Sequence, residues 1–265
     1  MLGGWALMPH ADAYRRAEQA ASRAIELDES LAEPHATLGY FKTLYEWDWP
    51  GAEREFQRAI ELNPEYGTAH HWYAFYLLTV GSAPQALASM LRAREVDPLS
   101  PIINAEVAYF HLYARKYEQA VREAQKALEL DSAFFPTYWI LGNAYALQGK
   151  RRETKAAIEE ALRLSQGEWG VMAFGGSALA FAGYSDEARK LLEEITQLAE
   201  TRYIFPAAIG ILHASLGEKE RAFGYFEQAL DERSIVVSWL RDPMLDDLAA
   251  EPRFRKIFER MGLRP

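Results

Sequence analysis

The stretch QKALELDSAFFPTYWILGN, residues 125–143, carries the pattern that decides the fold. One run with apolar residues at helical spacing ends at Asp131, and a second run begins near Pro136 after a short break. The same arrangement recurs along the chain, and Ala127 is one member of a series of equivalent positions. The members of this series are Ala24, Ala59, Ala93, Ala127, Ala161, Ile195 and Ala229. The first spacing is 35 residues and every later one is 34, which indicates a repeat protein.

Two series of glycines repeat with the same period. The first comprises Gly142, Gly176 and Gly210, and the second comprises Gly149, Gly183 and Gly217. Each unit holds two apolar-periodic runs separated by a short turn, so the chain is predicted to be an all-α solenoid of stacked antiparallel helix pairs. We expect the small residue of each second helix to receive the glycine or alanine of the first, because small residues let helices approach closely.

The repeat unit resembles the tetratricopeptide repeat (TPR) family. The residues that carry the resemblance are Leu38-Gly39, Leu141-Gly142 with Tyr145, Ala52, Ala86, Ala120, Pro64 and Pro98. Thr154 departs from the pattern by replacing a small residue, and Ser132, Gln166 and Glu200 replace the helix-ending proline. The resemblance covers roughly residues 10 to 234. It implies a right-handed superhelical solenoid in which the first helix of each pair lines the concave side.

We divide the chain into a solenoid over residues 1–234, with about six full repeats after an N-terminal half repeat, and C-terminal capping helices over residues 235–265. The cap is predicted from a stripe formed by Phe254, Ile257, Phe258 and Met261. This ending is similar to that of TPR regions at the C-terminal ends of bacterial multidomain regulators.

Composition argues against several kinds of site. The formal net charge of −9 argues against a nucleic-acid surface, because neutralising phosphates requires clustered lysine and arginine. The chain has no cysteine, and none of its six histidines lies in a metal-ligand spacing. His70 and His71 are adjacent and would point about 100° apart on a helix. We expect no metal, no cofactor and no catalytic residues.

The stretch from Tyr66 to Leu91 contains no Asp, Glu, Lys or Arg, which raises the question of a membrane span. Gly81 and Pro84 interrupt it, and each half is too short for the ~20 residues that a spanning helix needs. We therefore expect no membrane partner. A helix that is apolar nearly all round is typical of a buried element.

One stripe of the predicted first helices is aromatic and nearly free of charge. We predict that it forms a peptide-binding groove lined by Tyr40, Leu44, His71, Trp72, Phe75, Tyr109, Tyr113, Trp139, Asn143 and Phe174. TPR domains that clamp a terminal carboxylate use Lys and Arg with Asn in this groove. Only Asn143 fits that pattern, so the stripe favours an apolar or extended peptide. The alternative is that these aromatics simply pack against neighbouring first helices.

The expected function is a non-enzymatic scaffold that binds a protein or peptide partner in this groove. One alternative is self-association, including a homodimer, through an uncapped N-terminal helix around Tyr14, Ala17, Ala21 and Ile25. This alternative would suit a module of a larger bacterial signalling or transcription regulator. An enzyme is the third alternative and requires a pocket with converging polar groups. We expect a cytoplasmic location.

Overall fold

The computed structural model describes residues 10–234 and 237–264, with side chains from residue 15 onward except that of Val237. None of these residues forms a β-strand, and the all-α solenoid of antiparallel helix pairs predicted from the repeat is confirmed. The helices are α1 His10–Leu27, α2 Ala32–Phe41, α3 Trp49–Leu62, α4 Gly67–Thr79, α5 Ala83–Val96, α6 Pro101–Tyr113, α7 Tyr117–Leu130, α8 Phe135–Leu147, α9 Arg151–Ser165, α10 Trp169–Phe181, α11 Ser185–Ala199, α12 Pro206–Ser215, α13 Lys219–Asp231, α14 Val237–Leu240 and α15 Pro252–Arg260.

The helices pack in sequential pairs, α2 with α3 through α12 with α13, and α1 packs along α2. We call the first member of each pair (α2, α4, α6, α8, α10 and α12) a first helix. Their exposed surface forms the first-helix face. Second helices contact the first helix that follows them, so each repeat is held by its neighbours.

The one spacing of 35 residues has a structural explanation. Helix α2 continues into a π-helical turn, Lys42–Glu46, which absorbs one extra residue without breaking the helix. Trp47 follows in the left-handed conformation with φ of 58°, and Asp48 caps α3 by accepting a hydrogen bond from the Gly51 N–H at 3.0 Å. The extra residue therefore changes only the connection between α2 and α3.

The glycines of the first helices make room for a large side chain. A Cβ added at Gly39 would lie 3.0 Å from the Phe56 ring, and one at Gly142 would lie 2.4 Å from Ile158 Cδ1. Phe56 comes four residues after the small residue Ala52, and Ile158 comes four residues after Thr154 at the equivalent position. Our expectation that the small residue itself receives the glycine was therefore wrong. The space left by glycine is filled by the larger apolar side chain one turn later.

The turn between the helices of a pair holds one residue in the left-handed region. These residues are Trp47, Gly81, Arg115, Gly149, Gly183 and Gly217, each 34 residues after the previous one, with φ between 58° and 90°. A side chain at such a position costs roughly 1 kcal/mol or more relative to glycine. Trp47 and Arg115 bear that cost, and both contact the C-terminal part of the chain.

That C-terminal part crosses the first-helix face. We call residues 237–248, which comprise α14 and the 3₁₀ helix Pro243–Leu248, the strap. Helix α14 packs on α4, and the 3₁₀ helix packs on α10 and α12. Helix α15 then packs on α13, where Phe254, Ile257 and Phe258 join a buried cluster with side chains of α13. Sequence reasoning placed residues 235–265 together as an end cap, whereas the structure extends the strap along the repeats.

Two further contacts join the C-terminal residues to the repeat formed by α2 and α3. The Trp49 indole N–H donates to the carbonyl oxygen of Met261 at 2.7 Å, across 212 positions of sequence. Arg233 reaches the Tyr45 carbonyl oxygen at 3.4 Å, and its guanidinium lies 5.0 Å from the Trp47 ring centroid. The connection between α2 and α3 is therefore in contact with residues that follow α13.

Candidate functional site

The first-helix face is aromatic because first helices are apolar on most sides. Helices α4, α6, α8 and α10 contain no Asp, Lys or Arg, and their acidic and imidazole side chains are Glu106, His70, His71 and His111. The second helices, in contrast, are rich in charged residues. One side of a first helix packs inside its own pair, and another contacts the neighbouring first helices. A helix with two buried sides carries apolar residues nearly all round. The narrow side of a first helix that stays exposed, which forms the first-helix face, therefore also carries apolar and aromatic residues.

At the N-terminal part of this face, two aromatic rings lie against each other. The ring centroids of Tyr40 in α2 and Trp72 in α4 are 4.7 Å apart, and both side chains are half-buried. Beside them the His71 Nε2 and a Glu106 carboxylate oxygen form a hydrogen-bonded pair that is about 15% exposed. Leu44, in the π-helical turn, is also half-buried. This part of the face combines partly exposed rings with one polar pair.

The central part is filled by tyrosines. The Tyr109 and Tyr113 hydroxyls form a hydrogen bond of 2.7 Å, and both side chains are buried. Phe75 of α4 lies 6.2 Å from Tyr109, and Trp139 of α8 meets Tyr109 edge-on at 5.7 Å. Burial raises the pKa of both tyrosines, so the hydroxyl pair stays neutral at any physiological pH.

The aromatic row continues to the C-terminal repeats and includes a strap residue. Trp139 stacks on Phe174 of α10 at 5.8 Å, and Phe174 meets Trp239 of the strap edge-on at 5.0 Å. Trp239 also contacts Phe205 at 5.7 Å. The strap therefore adds a ring to the row predicted from the sequence.

Asn143 is buried, as are Tyr109 and Tyr113 among the other predicted groove residues. It is 2% exposed, and its side-chain oxygen has no hydrogen-bond partner among the described residues. The side chain lies within the packed interior of α8 and its neighbours and does not line the surface. The residue therefore offers no contact to a partner in this arrangement.

The strap is held on the face by polar contacts at the C-terminal ends of α4 and α6. The Arg241 guanidinium donates to the Thr79 carbonyl oxygen at 2.9 Å, which places a cation at the end of α4 where the helix dipole favours one. Arg115 pairs with both carboxylate oxygens of Asp246 at 2.5 and 2.8 Å. Because the pair is bidentate, it fixes orientation as well as position.

The strap also brings a carboxylate against the tyrosine pair. Asp242 is partly buried beside Tyr109 and Tyr113, and it accepts a hydrogen bond from the Met244 N–H at 2.8 Å. Burial, with a smaller contribution from the negative charge of Asp246, raises the pKa of Asp242 to about 6. Apolar anchoring comes from Leu240, Met244, Leu245 and Leu248, all of which are buried.

These contacts agree with a concave first-helix face. Trp239 touches Phe174 of α10, while Arg241, two residues later, bonds to Thr79 of α4. Two residues span at most about 7 Å of backbone. Helices α4 and α10 are three steps apart, which is roughly 24–30 Å on a flat face with ordinary helix spacing. Inward curvature of the face shortens this separation, so that one short segment with extended side chains reaches both helices.

Arg115 and Trp47 are residues that sequence reasoning missed. The signal was present, because the series Gly149, Gly183 and Gly217 extends backward by 34 residues to Arg115, Gly81 and Trp47. A non-glycine residue at a left-handed position is uncommon and points to a constraint of another kind. The strap contacts of Arg241 and Asp242 had no local signal, because they join residues more than 120 positions apart.

Four histidines, His35, His70, His71 and His213, form hydrogen bonds within the described part of the chain, and His111 is buried. His35 is hydrogen-bonded to Glu55 at 2.7 Å, and His213 is bonded to Glu218 at 2.9 Å and stacks on Tyr225. No group of three or more His, Asp or Glu within the described ranges is arranged to hold a metal ion.

A polar cleft of about 740 Å³ lies between α11 and α13, away from the predicted groove residues, and Gly224 forms part of its lining.

No helix in the described part of the chain is both long and apolar enough to span a membrane.

Comparison with known proteins identifies one repeat directly and the fold as a whole. A tetratricopeptide-repeat family model matches residues 135–167. Anaphase-promoting complex subunit 3 of Schizosaccharomyces pombe is 20% identical over 214 residues, which is 79% of this chain and 32% of that protein. The small glutamine-rich tetratricopeptide repeat-containing protein 2 of Saccharomyces cerevisiae is 34% identical over 77 residues, 29% of this chain and 22% of that protein.

Among solved structures, a tetratricopeptide repeat protein from Parabacteroides merdae superposes with a TM-score of 0.63 at 13% identity. The superposition covers 96% of this chain and 94% of that chain. At this identity the likeness concerns the fold, which is that of a TPR solenoid. The chain spans about a third or less of the length of the curated relatives that it matches.

Proposed function

We propose that this TPR solenoid is a non-enzymatic scaffold that binds a protein segment on its concave first-helix face. The partner segment contacts the half-buried rings of Tyr40, Trp72 and Trp139, while the buried Tyr109 and Tyr113 form the floor. Aromatic side chains with polar tips suit this task, because they supply large contact area with little loss of side-chain entropy.

One observation supports the proposal above the others. The row of rings from Tyr40 and Trp72 through Tyr109 to Phe174 lies on a face that already holds a protein segment, the strap. The face therefore has the shape and chemistry to receive polypeptide. The His71–Glu106 pair adds a polar group that can exchange its hydrogen bonds for those of a partner.

The test uses peptides selected for binding to the full chain from a random phage-displayed library. Selected peptides are labelled, and their affinities are measured by fluorescence anisotropy for the unaltered chain and for Trp72→Ala. We expect Trp72→Ala to weaken binding by about 2 kcal/mol, roughly 30-fold, as for a central aromatic contact.

Leu130→Ala is the matched control, because Leu130 is a large exposed apolar residue at the end of the second helix α7. Its affinity for the same peptides should equal that of the unaltered chain. Equal affinity of the Trp72→Ala chain, with an unchanged circular dichroism spectrum, would contradict binding on this face.

Self-association through α1 receives less support. Ala21 is buried and Ala17 and Ile25 are half-buried, while α1 packs along α2. The side chain of Tyr14 lies outside the described residues. The apolar side of α1 is thus already in contact with the solenoid, so we favour the first-helix face over a homodimer built on α1.

A cytoplasmic role within a larger bacterial regulator is part of this proposal. It rests on the sequence pattern of the C-terminal region, residues 235–265. A scaffold needs no chemistry of its own, which agrees with a face built from aromatic rings and not from converging polar groups.

A further inference from the structure

We infer that the strap is an internal ligand of the concave face, and that the partner segment which the face accepts carries the strap's own order of side chains: an aromatic ring, a basic residue two positions later and an acidic residue five positions after that. In the strap these are Trp239, Arg241 and Asp246. This inference rests on the proposed function, because it names the kind of segment that the proposed binding face takes.

The strap uses the face as a peptide ligand would. Trp239 completes the aromatic row between Phe174 and Phe205, and Leu240 and Leu245 are buried. Arg241 bonds to a carbonyl oxygen at the end of a first helix. Trp239 and Arg241 thus contact the first-helix face through their side chains, whereas Leu240 and Leu245 join the apolar cluster of α12, α13 and α15.

The turns between the helices of each pair also bear on the strap. Four of the six left-handed turn residues are glycine, and the two exceptions are Trp47 and Arg115. Arg115 forms the bidentate pair with Asp246, and Trp47 receives the Arg233 guanidinium. The turn of α6 would be less strained with glycine. Arg115 also interacts with Tyr117 of its own repeat, and its bidentate pair with Asp246 is the contact that joins this turn to the strap.

A partner segment has to displace the strap from the face. A tethered segment competes with a separate one at a high effective concentration, commonly in the millimolar range for a short tether. A partner of matching chemistry then binds weakly while the strap is docked and more tightly when it is not. The strap thus sets the affinity threshold that a partner segment must exceed.

The experiment uses a fluorescent synthetic peptide with the strap sequence VSWLRDPMLDDLAA, residues 237–250, added to full-length chains. In one chain the strap is weakened by Trp239→Ala with Asp246→Asn, which leaves the face intact. We expect the peptide to bind this chain at least tenfold more tightly than the unaltered chain.

A third chain adds Arg115→Gly to the weakened strap. Glycine restores the residue found at the equivalent turns, so folding is preserved while the partner of Asp246 is lost. We expect this chain to bind the strap peptide at least threefold more weakly than the chain with the weakened strap alone. A peptide in which the Asp246 position is changed to Asn should bind these two chains equally.

Absence of binding to the strap-weakened chain, with a circular dichroism spectrum like that of the unaltered chain, would overturn the inference and show that the strap only packs. Equal binding to all three chains would also overturn it, because the peptide would then bind elsewhere. Neither result would contradict the proposed function, because that function is tested with Trp72→Ala and with independently selected peptides.

Discussion

At the scale of single residues, two glycines in adjacent helices have opposite surroundings. A Cβ added at Gly210 in α12 would lie 2.7 Å from a ring carbon of the fully buried Phe226. Gly224 in α13 is exposed, and a Cβ there would have no heavy atom within 4 Å. One glycine is required by packing, and the other only weakens its helix.

These surroundings predict opposite effects of the same substitution. Gly224→Ala should raise the free energy of unfolding by about 0.5–1 kcal/mol, because glycine within a helix is less favourable than alanine by that amount. Gly210→Ala should lower it by about 1–3 kcal/mol through overpacking against Phe226. Urea denaturation followed by circular dichroism measures both. Effects of the same sign would contradict the assigned packing.

At the scale of elements, the docking of the strap should depend on pH through Asp242. Its pKa is raised from 3.8 to about 6, so the docked strap holds the proton more tightly than the free strap does. The stability that Asp242 contributes is therefore present at low pH and declines as the pH rises from about 4 to above 6. The charged groups of the surrounding elements are Asp246, Arg115, Arg241 and Glu106, while Tyr109 and Tyr113 remain neutral.

Asp242→Asn removes this titration while keeping an oxygen for the Met244 N–H. We expect it to stabilise the chain at pH 8 by about 1–3 kcal/mol relative to the unaltered chain, and to give no gain at pH 4. Thermal unfolding at the two pH values measures the difference. Asp247→Asn, on an exposed strap residue, is the control and should give no pH-dependent difference. A gain that is equal at both pH values would exclude Asp242 as the titrating group.

The elements themselves could largely be predicted from sequence. Because the sequence repeats every 34 residues, each helix pair has the same local pattern and the same kind of neighbour as the next pair. The structure of one pair therefore predicts the structure of the others. The aromatic stripe from Trp72 to Phe174 followed from helical spacing for the same reason. Asn143 was assigned to that stripe by spacing alone, but tight packing around α8 buries it. The strap lay beyond such reasoning, because nothing local to residues 237–248 indicates which helices they contact.

At the scale of the whole molecule, the C-terminal residues change what kind of solenoid this is. In an open solenoid each repeat contacts only its neighbours. Here the strap bridges α4, α10 and α12, and Trp49 bonds to Met261. The ends are thereby coupled, and the concave face is partly occupied. We infer that access to that face is an equilibrium between the strap and a partner segment of similar chemistry.

The most direct test of this account is whether the strap lies on the concave face in solution. The chain contains no cysteine, so a single pair can be introduced at Arg115 and Asp246, whose side chains are both about half exposed. A short bifunctional maleimide should then link the two positions within one molecule, whereas a pair at Lys155 on α9 and Asp246 should stay unlinked. Mass spectrometry after proteolysis that shows the 115–246 link in monomeric protein is the predicted result. Labelling of both cysteines without a link, or links only between molecules, would contradict the account.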